Sequence, residues 1–591
     1  MNLLLHGVRP EKMTIKNGDT LSQDWPEDPE RPNEGVQFDA VVMNPPYSAK
    51  NWNRDELKVS DPRFADFGVL PPDSKGDFAF LLHGLFHLGI NGTMAIVLPH
   101  GVLFRGAAEG EIRKRLLDKG LLDTIIGLPS NLFTNTGIPV VVMVLKKNRN
   151  IGDPVLVIDA SHSFIKVGKQ NVLEEKDIAK IVDTYSNRME IPGYSHLATR
   201  EEIIDNDYNM NIPRYVESID SEIPHDVDAH ILGGIPQKNI EELSVLNLSV
   251  PDILDNSLNP IRPGYVELIN SIDDLTEEVL RDSRIINKTN EVAAKSEEYI
   301  SKYWDSLRNV TRPTDILQLR EEMLDEIKQL LSEFKFIDVY DGYQIIADIW
   351  KEALTHDIEL IAASDFYAVA RTREPNMVTK GTGKNKREEQ DGWVGSIVPN
   401  ELIAERLYTE ELNEIKNKQS RVQEVDIELS ELVEAAKVED TDENNALYEV
   451  IKKNEEDEPQ DSFENKTVKS ELKNARKGTT EYDLLKKVDE LMAEKSMLGK
   501  AIKAEEKTLK EMVYDRIMSL TNEEIDGLVH EKWFGNVVAD LVNLVTIPLK
   551  AELRTLDMLN KRYANTLSEL DTEIRTLEKT FETLMSEMVV E

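Results

Sequence analysis

The run Phe38-Asp39-Ala40-Val41-Val42-Met43 passes directly into Asn44-Pro45-Pro46-Tyr47. The first six residues read as a buried strand. The prolines end it, because each lacks an N–H and fixes φ, so no sheet ladder continues through them. The strand therefore runs into a rigid turn with an amide and an aromatic ring pointing outward. Such a turn needs a sheet behind it, and the neighbouring sequence supplies one. From about residue 13 to 160, short β-branched runs alternate with helical stretches. Strands are expected at 38–43, 92–98, 122–128, 140–145 and 155–159, and helices at 77–88 and 109–119. Near-continuous apolar strands separated by helices predict an α/β fold with an open, mostly parallel sheet.

At 591 residues the chain is expected to hold several domains. It has no cysteine, which excludes disulfides and thiolate metal sites. Met1-Asn2-Leu3-Leu4-Leu5-His6 has no basic region ahead of its short apolar run and makes a poor signal peptide. No uninterrupted apolar stretch is long enough to cross a bilayer. The expectation is a cytoplasmic protein with no membrane partner. A net charge of −40 argues against gripping DNA unaided, because phosphate binding rests on Lys and Arg. An acidic chain still acts on DNA when a partner or a local basic cluster supplies the positive surface.

Three regions are expected: 1–235 around the sheet, 236–395 mainly helical, and 396–591 built from long helices. Residues 371–395 read as a Gly- and Lys/Arg-rich loop, with Arg371, Arg373, Lys384, Lys386 and Arg387 as candidate phosphate contacts. Val438 to Glu464 reads as a solvated acidic linker. Leu567, Leu570, Ile574, Leu577, Phe581 and Leu584 step by three and four, as do Leu484, Val488, Leu491, Leu498, Ile502, Leu509 and Met512. Leu412, Ile415, Val422 and Leu429 suggest a third such helix. These seams fit either a bundle that packs on itself or a coiled-coil dock for a partner.

The turn suits one chemistry. An exocyclic amine on a planar base is a poor nucleophile, because its lone pair is delocalised into the ring. Acceptors for both N–H groups favour the geometry the nitrogen adopts as it attacks. Asn44 offers a side-chain oxygen, and Pro45 a carbonyl held outward by Pro46. Tyr47 offers a face on which an extruded base can stack. A match of this form arises by composition alone about twice in a hundred chains of this length. Its place after a strand makes chance a poor explanation.

At this point the chain resembles the modification (M) subunit of type I restriction–modification systems, an adenine-N6 DNA methyltransferase. Besides the tetrapeptide, Met1 to Gly7 looks like the family's helix before its third strand. Asn17-Gly18-Asp19-Thr20-Leu21 looks like the segment whose acid contacts the adenine of S-adenosylmethionine. Leu98 to Phe104, Gly127-Leu128-Pro129 and Thr136-Gly137-Ile138-Pro139 are similar to its later strand ends. Asn211 to Tyr215, Gly233 to Pro236, Lys532-Trp533-Phe534 and Arg562-Tyr563 also look like family segments. The resemblance implies Asn44, Pro45, Pro46 and Tyr47 as catalytic residues and Asp19 as a cofactor contact, with no metal. It implies S-adenosylmethionine as cofactor, and double-stranded DNA, a specificity (S) subunit held by the C-terminal helices, and a restriction subunit as partners. It also implies that the Gly-rich cofactor loop and the acidic ribose contact precede Met1. The expectation is an incomplete Rossmann-like methyltransferase sheet, truncated or split at its first strands, followed by a coiled-coil-rich C-terminal region. The alternative is a catalytically inert assembly protein that holds a specificity subunit.

Other candidates read as structural. Lys380-Gly381-Thr382-Gly383-Lys384 fails as a phosphate loop, because Val378 and Asn385 stand where Gly and Ser/Thr are needed. His83 and His87 lie four apart among Leu and Phe, which favours a buried helix face over zinc. Asp39 reads as a local cap, Arg113, Lys114 and Arg115 as a solvated helix face, and Trp533 as core.

Overall fold

The computed structural model describes residues 8–22, 28, 30, 35–50, 52–134, 136–217, 223–380, 386–438, 446–455 and 458–587. The expected helix at Met1 to Gly7 lies outside them, as do residues 381–385 of the Gly-Xaa-Gly stretch. The chain packs as two compact units. One comprises Met1–Ile286, Ile327–Ala347 and Leu544–Glu591, and the other Asn287–Glu326 and Asp348–Asn543. Neither unit divides at 235 or 395.

The first unit holds the sheet. Its strands are β1 (Phe38–Met43), β2 (Leu88–Pro99), β3 (Leu122–Gly127), β4 (Val140–Lys146), β5 (Val155–Asp159) and β6 (Ser195–Ala198). Helices α1 (Asp77–Phe86), α2 (Ala107–Asp118) and α3 (Glu175–Asn187) connect them, and α4 (Arg200–Asp205) follows β6. All five strands expected from the sequence form. Helix α1 stops at Phe86 rather than Leu88, and β2 starts earlier than expected.

The order is β1-β2-β4-β3-β5-β6. Only β1–β2 and β3–β5 are parallel, whereas β2–β4, β3–β4 and β5–β6 are antiparallel. The sheet is therefore mixed, not mostly parallel. Residues 128–139 between β3 and β4 contain no helix among those described. A parallel return needs a crossover, usually helical, so β4 comes back antiparallel and inserts between β2 and β3. Leu81, Leu82, Met94, Ile96, Ile112, Leu116, Ile125 and Met143 pack one side of the sheet, where α1 and α2 lie.

Strand β1 is not the buried strand that its sequence suggests. Among the described residues no strand pairs with its outer edge, and Val42 is 85% exposed. Covering such a side chain fully is worth about 1.5–3 kcal/mol.

In the second unit the seam of α6 (Thr480–Ile517) is filled by α5 (Thr409–Lys437). The two run antiparallel: Lys418 meets Glu505, while Val433 shares a core with Leu485 and Val488. That pair satisfies itself, so it is the bundle outcome of the two left open by sequence. The expected loop at 371–395 is instead a hairpin, β7 (Arg373–Lys380) with β8 (Arg387–Gly395). The expected acidic linker carries a second hairpin, β9 (Ile451–Lys453) with β10 (Pro459–Phe463), and buries Leu447, Val450, Ile451 and Phe463. In both places local polarity concealed a cross-strand pairing.

Residues Asn522–Arg562 are long and apolar enough by composition to cross a membrane. They form two helices, α7 (Asn522–Phe534) and α8 (Val537–Arg562). Ile525, Val529, Trp533, Leu541, Leu549 and Leu556 are all buried in the protein. Trp533 is core, as expected: its Nε1–H donates to the buried Asp357 at 2.8 Å, and Lys532 reaches the same carboxylate at 2.6 Å. The last helix, α9 (Leu567–Glu587), is different. Leu577 and Phe581 on its seam are 61% and 64% exposed.

Candidate functional site

The turn Asn44–Tyr47 sits at the carboxyl end of β1, beside the same end of β2, with Met43 paired to Ile96. Asn44 and Pro46 are exposed, Pro45 is buried and Tyr47 is half-buried. The Tyr47 hydroxyl donates to the Asn44 side-chain oxygen at 2.9 Å. Burial raises the Tyr47 phenol above its ordinary value, so it stays protonated and remains a donor. One of the two lone pairs of the acceptor expected to receive an amine is thus engaged from within the motif.

Tyr47 packs against an apolar cluster that includes Leu128 and Val140. Its centroid lies 6.1 Å from that of Phe133, with the planes tilted by 60°. Phe133 belongs to the β3–β4 connection and was not singled out from sequence. Nothing local marks it: it is one aromatic in a polar loop, brought to Tyr47 by the insertion of β4. Together the rings form an aromatic corner beside an amide acceptor.

After Tyr47 the chain reverses through Ser48, whose φ of +49° lies in the left-handed region. Two hydrogen bonds tie this reversal to the start of α1. The Ser48 N–H donates to Asp77 Oδ1 at 2.6 Å, and the Gly76 N–H donates to the Ala49 carbonyl at 2.9 Å. Asp77 is fully buried and pairs with Arg105 at 3.0 Å. Arg105 in turn meets the buried Glu109 at 2.9 Å. Burial pushes the Glu109 carboxyl up, partly offset by Arg105.

Asp19 lies on the described segment that precedes β1. The Leu21 N–H donates to it at 3.0 Å, and the Asn53 side chain at 2.7 Å. Its slight burial acts to raise its pKa, but the hydrogen bonds from Leu21, Ser22 and Asn53 outweigh that and hold it below the usual range. It is an exposed, ionised acceptor. Asn53, also in the left-handed region at φ +62°, links this acid to the loop after the Pro-Pro turn. Nothing in the sequence around Asn53 marks that link.

Several candidates from sequence are engaged elsewhere. Arg113 is buried, not solvated, and donates to the carbonyls of Tyr208, Val102 and Arg105. Arg371 donates to the Leu520 carbonyl, and Arg373 to the Tyr514 carbonyl while lying over Trp393. Both brace hairpin β7–β8, which leaves Lys386 and Arg387 as the basic candidates there and Lys384 outside the described residues. His83 and His87 are buried at α1 with ring centroids 4.8 Å apart.

Residues 1–223 match the family model described as N-6 DNA Methylase. The chain is 37% identical over 275 residues to the methylase subunit of type I restriction enzyme MpnII of Mycoplasma pneumoniae, covering 46% of this chain and 47% of that one. It is 35% identical over 279 residues to the MjaVII methylase subunit of Methanocaldococcus jannaschii, covering 45% and 44%. The chain thus spans about half the length of the curated relatives it matches. A solved type I methyltransferase subunit from Streptococcus thermophilus is 53% identical over 37% of this chain and 45% of that one, with a TM-score of 0.35.

Proposed function

We infer, from the premise that residues 1–223 belong to the N-6 DNA methylase family, that this chain is the adenine-N6 methyltransferase subunit of a type I restriction–modification system. The observation that carries this reading is the Asn44–Tyr47 turn, with its amide acceptor beside the Tyr47–Phe133 corner. S-adenosylmethionine, when bound, supplies a methyl group made electrophilic by its sulfonium. Asn44 Oδ1 accepts one N–H of the target adenine, on its second lone pair or in place of the Tyr47 hydroxyl, and the Pro45 carbonyl accepts the other. These acceptors would direct the N6 lone pair at that methyl group, so that a C–N bond would form as the C–S bond breaks and N6 would give up one proton to solvent. No side-chain base is required, because the methylated amine is acidic until it loses that proton. Tyr47 and Phe133 hold the extruded ring by stacking.

Asp19 fits the adenine end of the cofactor, because an exposed carboxylate kept ionised accepts from an amino group. The outer edge of β1, unpaired among the described residues, and the exposed Val42 support completion of a Rossmann-like sheet by a further strand-bearing segment, on this or another polypeptide. The open seam of α9 supports docking of a specificity subunit. That partner would bring the positive surface that a chain of net charge −40 lacks for duplex DNA. A restriction subunit and a cytoplasmic location belong to the same proposal.

A second reading rests on the Tyr47–Asn44 hydrogen bond. An acceptor already engaged also suits an inert assembly protein that only holds a specificity subunit. Asn44→Ala separates the two in the assembled complex. Loss of methyl transfer with assembly intact supports the first reading, and unchanged transfer supports the second.

A further inference from the structure

We infer that Asp77 is a positioning residue for methyl transfer, holding the base-binding turn in place through the Ser48 backbone and locked by Arg105. The inference rests on the reading of Asn44–Tyr47 as the turn that holds adenine.

The observations converge on one buried carboxylate. Asp77 has no exposed surface, and burying such a group is costly unless its oxygens are paired. Its two oxygens are divided: Oδ1 accepts from the Ser48 N–H at 2.6 Å, and Oδ2 from Arg105 Nη1 at 3.0 Å. Ser48 is the residue directly after Tyr47 and sits at φ +49°. A serine holds that conformation only where surrounding bonds impose it. Asp77 supplies one such bond, and the Gly76–Ala49 hydrogen bond supplies another one residue along. The turn is therefore clamped at both Ser48 and Ala49.

Arg105 anchors the clamp to a different element. It lies just past the end of β2, passes over Gly101 and reaches both Asp77 and Glu109 of α2. A Cβ on Gly101, in the turn after β2, would come within 2.6 Å of Arg105 Nε, so the glycine leaves room for that side chain. Trp52 lies against Gly76 in the same way: a Cβ there would meet its ring at 3.0 Å. The start of α1, the end of β2 and the start of α2 thus bear on the residue after Tyr47. The effect of Asp77 passes through Ser48 to the direction of the Tyr47 ring and the Pro45 carbonyl. A misplacement of about 1 Å at such groups costs about 100-fold in rate.

The test uses the full chain assembled with its specificity subunit and the segment that completes its sheet, with S-adenosylmethionine and duplex DNA. Asp77→Asn keeps the size of the side chain and one acceptor, but turns an amide donor toward Arg105. Asp77→Ala removes both bonds. The expected result is a fall in kcat of about 10- to 100-fold in both variants, with KM for S-adenosylmethionine changed by less than about 2-fold, because Asp19 is untouched. With 2-aminopurine at the target position, emission from the extruded base is expected to differ from that of the unaltered complex, because the Tyr47 face has moved. A kcat within about 2-fold of the unaltered chain in either folded variant overturns the inference. So does a lowered melting temperature with unchanged kcat, which reduces Asp77 to a packing role. Asn44→Ala is run alongside. If it leaves transfer intact, the reading of the turn itself fails; if it abolishes transfer while Asp77→Asn keeps kcat within about 2-fold, only the clamp fails.

Discussion

The Tyr47 hydroxyl lies 2.9 Å from the Asn44 side-chain oxygen and donates to it. The two residues assigned to one substrate are thus bonded to each other before it arrives. The Asn44 oxygen has a second lone pair, so the base shares the acceptor with the hydroxyl or displaces it, and the hydroxyl and the ring of Tyr47 play different parts. The hydroxyl engages the acceptor while the ring provides the stacking face. Tyr47→Phe is expected to keep methyl transfer within about 3-fold of the unaltered complex. Tyr47→Ala is expected to lose about 1–3 kcal/mol of stacking, or roughly 5- to 150-fold in kcat/KM. Steady-state methyl transfer by both variants checks this, and equal loss in the two would assign the role to the hydroxyl.

Phe133→Ala is expected to weaken the same corner from its other side. The loss should again be about 1–3 kcal/mol in kcat/KM, with S-adenosylmethionine binding unchanged when measured by calorimetry. An unchanged kcat/KM would remove Phe133 from the site.

His83 makes stability depend on pH. Burial, with help from His87 and Arg63, lowers its pKa from 6.5 to about 3. Below 6.5 the unfolded chain binds a proton that the folded chain refuses. Stability is therefore full above 6.5 and falls as pH drops toward 3, by up to about 1.4 kcal/mol per unit. Urea midpoints between pH 7.5 and 5.5 should fall, and should fall less in His83→Gln. Equal slopes in the two proteins would contradict the assignment.

The seam of α9 should matter for assembly and little for folding, because Leu577 and Phe581 are already exposed. Leu577→Asp with Phe581→Glu is expected to abolish co-elution with a specificity subunit. The melting temperature of the isolated chain should stay within about 1 °C, as expected for surface substitutions. Retained co-elution would place the dock elsewhere.

Asp357 shows what buried charge does in the second unit. Asp357→Ala leaves Lys532 and the Trp533 Nε1–H without their shared acceptor. A cost of about 3 kcal/mol is expected, read from denaturant midpoints.

Much of this molecule could be read locally. The strand before Asn44 and the turn after it come from six residues and two prolines, and each expected strand formed because its apolar run was short and bounded. Direction and exposure were less accessible. β4 is antiparallel because no described helix joins it to β3, and β1 is exposed because no described strand covers its edge. Neither property is carried by the strands themselves. Hairpins β7–β8 and β9–β10 were hidden because their residues are polar, and their pairing depends on partners across the turn. Within the site, Asn44, Tyr47 and Asp19 could be proposed from sequence. Phe133, Asp77 and Arg105 could not, because their roles come from tertiary neighbours 28 to 86 positions away.

The central claim is the base and atom modified, and one measurement addresses it directly. The chain, assembled with its specificity subunit and the segment that completes its sheet, is incubated with duplex DNA and S-adenosylmethionine carrying an isotopically labelled methyl group. The DNA is then digested and its nucleosides resolved by mass spectrometry. Label in N6-methyladenosine, lost on Asn44→Ala, is the predicted result. Label in a cytosine derivative, or no labelled nucleoside at all, would contradict the account.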